Sequence, residues 1–137
     1  MDAMSDSAMT DNIITSQNER MQVLALAQQI ADEGGIYTVA LDIGAVSTIT
    51  DYFVITSARS VTHLHGLVRR IRDLLVELEI EPAKSQKRHD DSGWVLFDCG
   101  FAVIHVMLAD LRAFYELERL WLDGQVVFPA QDATKRS

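Results

Sequence analysis

At 137 residues, with 48% hydrophobic and 23% charged side chains, the chain has the bulk for one soluble domain with a real core and not for two. A net charge of −8 disfavours direct nucleic-acid binding, which rests on clustered Lys and Arg, and suits a basic protein partner better. The single cysteine excludes an internal disulfide and fits a reducing cytosol, and no apolar run approaches the roughly 20 residues that span a bilayer.

The opening segment, MDAMSDSAMTDNIITS, has neither the basic start nor the apolar core of a secretory signal, and it lacks the arginines of a transit peptide. Its small polar and acidic residues predict a disordered acidic tail over 1–17, ahead of a single domain over 18–128 and a frayed C-terminal tail over 129–137. From Asn18 to Asp32 a helical period runs through Met21, Leu24, Ala25, Ala27, Gln28 and Ile30, widened by Val23 and Leu26 and stopped by Gly34-Gly35.

Tyr37 to Ile43 alternates and is β-branched, as a strand does, and Ile49 to Ala58 holds the apolar run YFVI of a strand covered on both faces. Ser60 then caps the longest predicted helix, to Glu79, with Leu64, Leu67, Val68, Ile71, Leu74, Leu75 and Leu78 at i, i+3, i+4, i+7 spacing. Pro82 ends it and a polar loop follows. Strands at Trp94–Asp98 and Ala102–Leu108, joined tightly through Cys99-Gly100, predict an antiparallel hairpin. Asp110 caps a last helix through Trp121, with Leu111, Phe114, Leu117, Leu120 and Trp121 on its apolar side. The segment QVVFP reads as a short apolar clasp. The order is α-β-β-α-β-β-α, a sheet with helices against it.

The chemistry-bearing residue types do not assemble into an active site. His63 and His65 are two apart on a helix, so they point about 200° away from each other and do not share a metal ion. Cys99 and His105 are near enough in a hairpin to meet, but Cys99 lies in an apolar stretch that leaves a thiol unreactive. His105 itself, in AVIHVML, reads as a hydrogen-bonded histidine rather than a base. The strand-to-helix turn TSARSVTH carries no glycine-rich phosphate cradle, and no Asp-x-Asp occurs for two-metal nucleotidyl transfer. Glu77, Glu79 and Glu81 read as a solvated charged face. No metal and no cofactor is expected.

What remains is aromatic and acidic. Trp94, Leu96 and Asp98 share one face of their strand by the period of two, and Phe101, Val103, His105 and Met107 share one face of the next. Tyr115, Glu116, Glu118 and Arg119 lie on the outer side of the last helix. Aromatic residues among carboxylates suit a protein–protein hot spot; the alternative is that Trp94 and Trp121 are core.

The runs DYFVI (51–55), GWV (93–95), VIHV (103–106) and FYELERLW (114–121) resemble the Iojap-like ribosomal silencing factor family, over roughly Gln22 to Leu122. The resemblance implies a nucleotidyltransferase-like α/β (α+β) fold, a mixed sheet flanked by helices, without catalytic carboxylates. It further implies a cytoplasmic, non-enzymatic factor that binds the large-subunit ribosomal protein uL14 and blocks joining of the ribosomal subunits when nutrients are short. A homodimer is an additional expectation. Trp94, Asp98, His105, Tyr115, Glu116 and Glu118 match the positions of the family's signature aromatic and acidic residues. Three departures stand out: Ala58-Arg59-Ser60 replaces the usual Gly-Thr-Ser, Phe101 stands where an acidic residue is usual, and the loop before Trp94 lacks a Glu-Gly. The rival reading is a nucleotide-binding or nucleotidyl-transferring enzyme of the same fold, and a third is a plain homodimeric scaffold.

Overall fold

A computed structural model describes residues 3–83, 93–115, 119 and 124–129. Its elements are α1 (Ala3–Asp32), β1 (Ile36–Asp42), β2 (Tyr52–Ala58), α2 (Val61–Glu77), β3 (Trp94–Asp98), β4 (Ala102–Leu108), α3 (Ala109–Tyr115) and β5 (Gln125–Phe128). The five strands form one mixed sheet in the order β3-β4-β2-β1-β5. β2 and β4 run parallel, and the other neighbours are antiparallel. The expected hairpin is present, with Trp94 opposite Met107 and Asp98 opposite Val103.

Helices α1 and α2 pack on one face of the sheet. Their buried residues Val23, Leu26, Ala27, Ile30, Leu64, Leu67, Val68, Ile71, Leu74 and Leu75 meet Ala40, Val54, Val95, Phe97, Ile104 and Val106 in the main core. The alternate residues of the same strands, Val39, Leu41, Ile43 and Ile55, form a second, smaller cluster on the opposite face with Phe53 and Val126. This is why YFVI reads as a continuous apolar run: both its faces are covered.

Helix α2 follows its sequence closely. The Ser60 side chain accepts a hydrogen bond from the His63 N–H at 3.1 Å, and six leucine, valine and isoleucine positions are buried as their spacing requires. Its end is not set by Pro82. Glu79 adopts a left-handed backbone (φ 57°), while the N–H of Ile80 bonds the Leu75 carbonyl and the N–H of Glu79 bonds that of Val76. These two bonds close the helix in a Schellman motif.

Four further expectations need correction. The acidic tail over 1–17 is not separate from the first helix, because α1 begins at Ala3. No Gly or Pro interrupts residues 1–33, and once the Val23–Ile30 stretch is docked, extending the helix backwards avoids a fresh nucleation step. The buried stripe of α1 is Val23, Leu26, Ala27 and Ile30, whereas Met21 is 67% exposed. All four buried residues belong to the predicted set, but that set mixed two faces, and its members Met21, Ala25 and Gln28 are exposed. Finally, the apolar clasp is a genuine strand: Val126 pairs with Leu41 and Phe128 with Ala40, so β5 covers the edge of β1. Asp110 is the second residue of α3 rather than its cap. Apart from Arg119, the remainder of the predicted last helix, including Leu117, Leu120 and Trp121, lies outside the described residues, as does the stretch beyond Pro129 for which a frayed tail was expected.

Candidate partner-binding face

Two of the expected site residues are brought into direct contact on the face opposite α1 and α2. Val95 and Phe97 point into the main core, so Trp94, Leu96 and Asp98 must face the other way. His105 lies opposite Leu96 on the neighbouring strand, and the half-buried Trp94 reaches it diagonally. The indole Nε1–H donates to His105 Nδ1 at 3.3 Å, with ring centroids 6.0 Å apart. Phe53, from the central strand β2, meets the same imidazole edge-on at 4.5 Å between centroids.

His105 is only 8% exposed. Burial lowers its pKa to about 4, so the ring is neutral at physiological pH. It therefore sits beneath the face, as a support, with Trp94 as the more accessible member of the pair. Asp98 is exposed at the far end of β3, where its Oδ1 accepts from the Gly100 N–H at 2.9 Å and so also shapes the hairpin turn. Tyr115 ends α3, its side chain outside the described set, and Glu116 and Glu118 lie wholly outside the described residues. Half-buried Phe101 packs against the helix-side core, which absorbs its apolar ring.

A thiol–imidazole pair does not form. Cys99 packs against the helix-side core while His105 belongs to the opposite face. Burial first, and then the charge of Asp98, push the thiol up to about 11. His63 spends both ring nitrogens on backbone: Nδ1 accepts from the Arg59 N–H at 2.9 Å and Nε2 lies 3.0 Å from the Gly34 carbonyl. This ties the start of α2 to the end of α1. It also means that amides at the β2–α2 turn, where a phosphate would be cradled, are already engaged within the chain. An apolar groove of about 640 Å³ runs along Leu75, Val76, Ile80 and Phe97 on the helix side, away from Trp94.

One residue that sequence reasoning missed organises the approach of α3. Arg112 is 6% exposed, and its Nη1 donates to the Tyr37 carbonyl at 2.7 Å and the Ser57 hydroxyl at 2.8 Å, with Ile36 O at 3.4 Å. It pins the helix onto a bulge in β1 where the register shifts between Ile36 and Val39 and Tyr37 has φ 50°. The only hint in the sequence is an arginine in a short helix that follows directly on a buried strand.

The fold and this face define an α+β domain with a mixed sheet, helix-backed on one side and bearing an aromatic pair on the other. The chain belongs to the ribosomal silencing factor family: residues 15–137 match the family described as "Ribosomal silencing factor during starvation". It is 38% identical over 85 residues to the ribosomal silencing factor RsfS of Bacillus subtilis, covering 62% of this chain and 71% of that one. To the RsfS of Halalkalibacterium halodurans it is 32% identical over 112 residues, covering 82% and 93%. A mouse relative, named mitochondrial assembly of ribosomal large subunit protein 1, is 40% identical over 74 residues, covering 53% of this chain and 32% of that one. A crystal structure from Bacillus halodurans superposes with a TM-score of 0.62 at 31% identity, over 74% of this chain and 94% of that one. An X-ray structure from Chromobacterium violaceum gives 0.65 at 26% identity, over 86% and 95%. The family's names are those of ribosome-associated regulators and not of enzymes.

Proposed function

We propose that this protein binds the large ribosomal subunit through the ribosomal protein uL14 and, by occupying that surface, sterically blocks joining of the small subunit, so that translation falls when nutrients are limiting. The observation that carries this reading is the family match over residues 15–137. The proposed contact set is Trp94, Asp98, Tyr115, Glu116 and Glu118, with His105 holding Trp94 in place from beneath. An acidic chain (−8) with an aromatic anchor suits a basic ribosomal protein: the charge steers encounter and the aromatic ring supplies the hot spot. Among the described residues no helix is long and apolar enough to cross a membrane. The cytoplasm is the proposed site of action, and self-association through the same face is proposed alongside. The nucleotide-handling alternative gains no support from a β2–α2 turn whose amides bond within the chain.

Co-sedimentation of the full chain with purified large subunits, followed by light scattering as small subunits are added, tests the reading. Pelleting with the large subunit and a slower or smaller scattering rise are the expected results. Binding without any effect on subunit joining would overturn the occlusion mechanism. No binding would overturn the whole reading.

A further inference from the structure

The antiparallel and parallel registers bring two loops to the same end of the sheet: the β1–β2 connection over 43–51 and the β3–β4 turn over 99–101. The connection exposes two aliphatic side chains, Ile49 at 86% and Val46 at 58%. A single exposed aliphatic is ordinary on a soluble protein. These two, however, sit on a loop held by its own hydrogen bonds. Ser47 Oγ accepts from the Ile49 N–H at 3.1 Å and more weakly from Thr50, the Val46 N–H bonds the Ile43 carbonyl, and the Gly44 N–H bonds Asp42 Oδ1. Thr50 Oγ1 then donates to the Gly100 carbonyl at 3.0 Å, tying the connection to the β3–β4 turn. Side chains presented on such a frame lose little conformational freedom on binding.

The same end is lined with carboxylates. Asp98, Asp51 and Asp42 terminate or precede strands that stand in the order β3-β4-β2-β1, so they spread across about 14 Å at the usual interstrand spacing. Asp42 and Asp51 flank Gly44, and Asp51 raises the pKa of Glu19 on α1, a shift whose larger cause is burial. Arg20 lies 3.6 Å from Asp42. With Arg20 paired to Asp42, the four acids still leave this end negative, so that it repels a phosphate backbone and attracts lysine- or arginine-rich protein.

We propose that this loop-bearing end is a docking surface for a basic protein segment of the large ribosomal subunit, with Ile49 and Val46 as apolar anchors and Asp42, Asp51 and Asp98 as their charged rim. It rests on the proposed ribosome binding and extends the contact beyond the Trp94 face, through Asp98, which belongs to both.

The test is pelleting of the full chain with purified large subunits, in wild type, in the double variant Ile49→Ser with Val46→Ser, in Asp51→Asn, and in Trp94→Ala. Thermal midpoints are measured beside the binding constants. The double variant is expected to bind about tenfold more weakly with an unchanged midpoint, because both side chains are already in water. Asp51→Asn is expected to flatten the loss of binding as salt is raised. Wild-type affinity and salt dependence in these variants, with Trp94→Ala impaired, would overturn this inference and leave the proposed function standing. Absence of pelleting by the wild type would overturn both.

Discussion

Trp94 and His105 are joined by a hydrogen bond that fixes the state of both: the indole donates to Nδ1, so the single proton of the neutral imidazole sits on Nε2. That Nε2 is buried and meets no hydrogen-bond partner among the described residues. The bond holds the half-buried indole against the buried imidazole on the face opposite α1 and α2.

The pair makes stability acid-sensitive. Folding lowers the His105 pKa to about 4 from an ordinary 6.5, so below pH 6.5 the unfolded chain takes up a proton that the folded chain refuses. Stability is therefore full above pH 6.5 and declines as pH falls through the window down to 4. The loss by pH 5 is about 2 kcal/mol from this group. Urea unfolding at pH 7 and pH 5 measures it, and His105→Phe should remove most of the difference. An equal fall in the variant would assign the acid limb to other groups.

Trp94 should carry binding more than folding. Trp94→Ala is expected to weaken large-subunit binding by about 2 kcal/mol or more while circular dichroism stays native. Glu118→Lys should do similar harm at low salt and progressively less as salt rises, since it reverses one of the carboxylates proposed to meet a basic partner. Ile71→Ala, wholly buried in the main core, should instead lower stability by about 2–5 kcal/mol. Unfolding of Trp94→Ala together with normal binding by Glu118→Lys would move the binding face elsewhere.

Two glycines should respond with opposite sign to alanine. A Cβ on Gly35 would run into Thr56 Oγ1, and into Ile30 and Thr38 at 2.8 Å, where a buried Thr38–Thr56 hydroxyl contact of 2.8 Å leaves no slack. Gly35→Ala should therefore destabilise by about 1–3 kcal/mol. Gly66 lies inside α2 with nothing within 4 Å of the new methyl, so Gly66→Ala should stabilise by about 0.5–1 kcal/mol. Thermal unfolding of the two variants decides both.

Removing Met1 to Ser16 should shift the thermal midpoint little and leave ribosome pelleting intact, although α1 begins at Ala3. The buried contribution of α1 starts at Val23, and Ile14 is 48% exposed. A fall of more than a few degrees in the truncated chain would show that the first half of the helix docks.

The amphipathic α2, the β3–β4 hairpin and the two-sided apolar strand β2 were all legible in the residue pattern, because each is dictated by spacing that a helix or strand must bury. Family membership was legible as well, in short runs such as GWV and FYELERLW. The parallel pairing of β2 with β4, the fifth strand, and the bulge that Arg112 pins were not. They depend on contacts between residues more than 45 apart, which no local period encodes. The sequence alone also determined that Trp94 and Asp98 share a face and that His105 lies on the next strand. That His105 is buried beneath Trp94, neutral and hydrogen-bonded to it, was decided only by the tertiary structure. Strand register sets which side chains meet across a sheet, and burial between them, rather than residue type, sets whether a histidine carries charge.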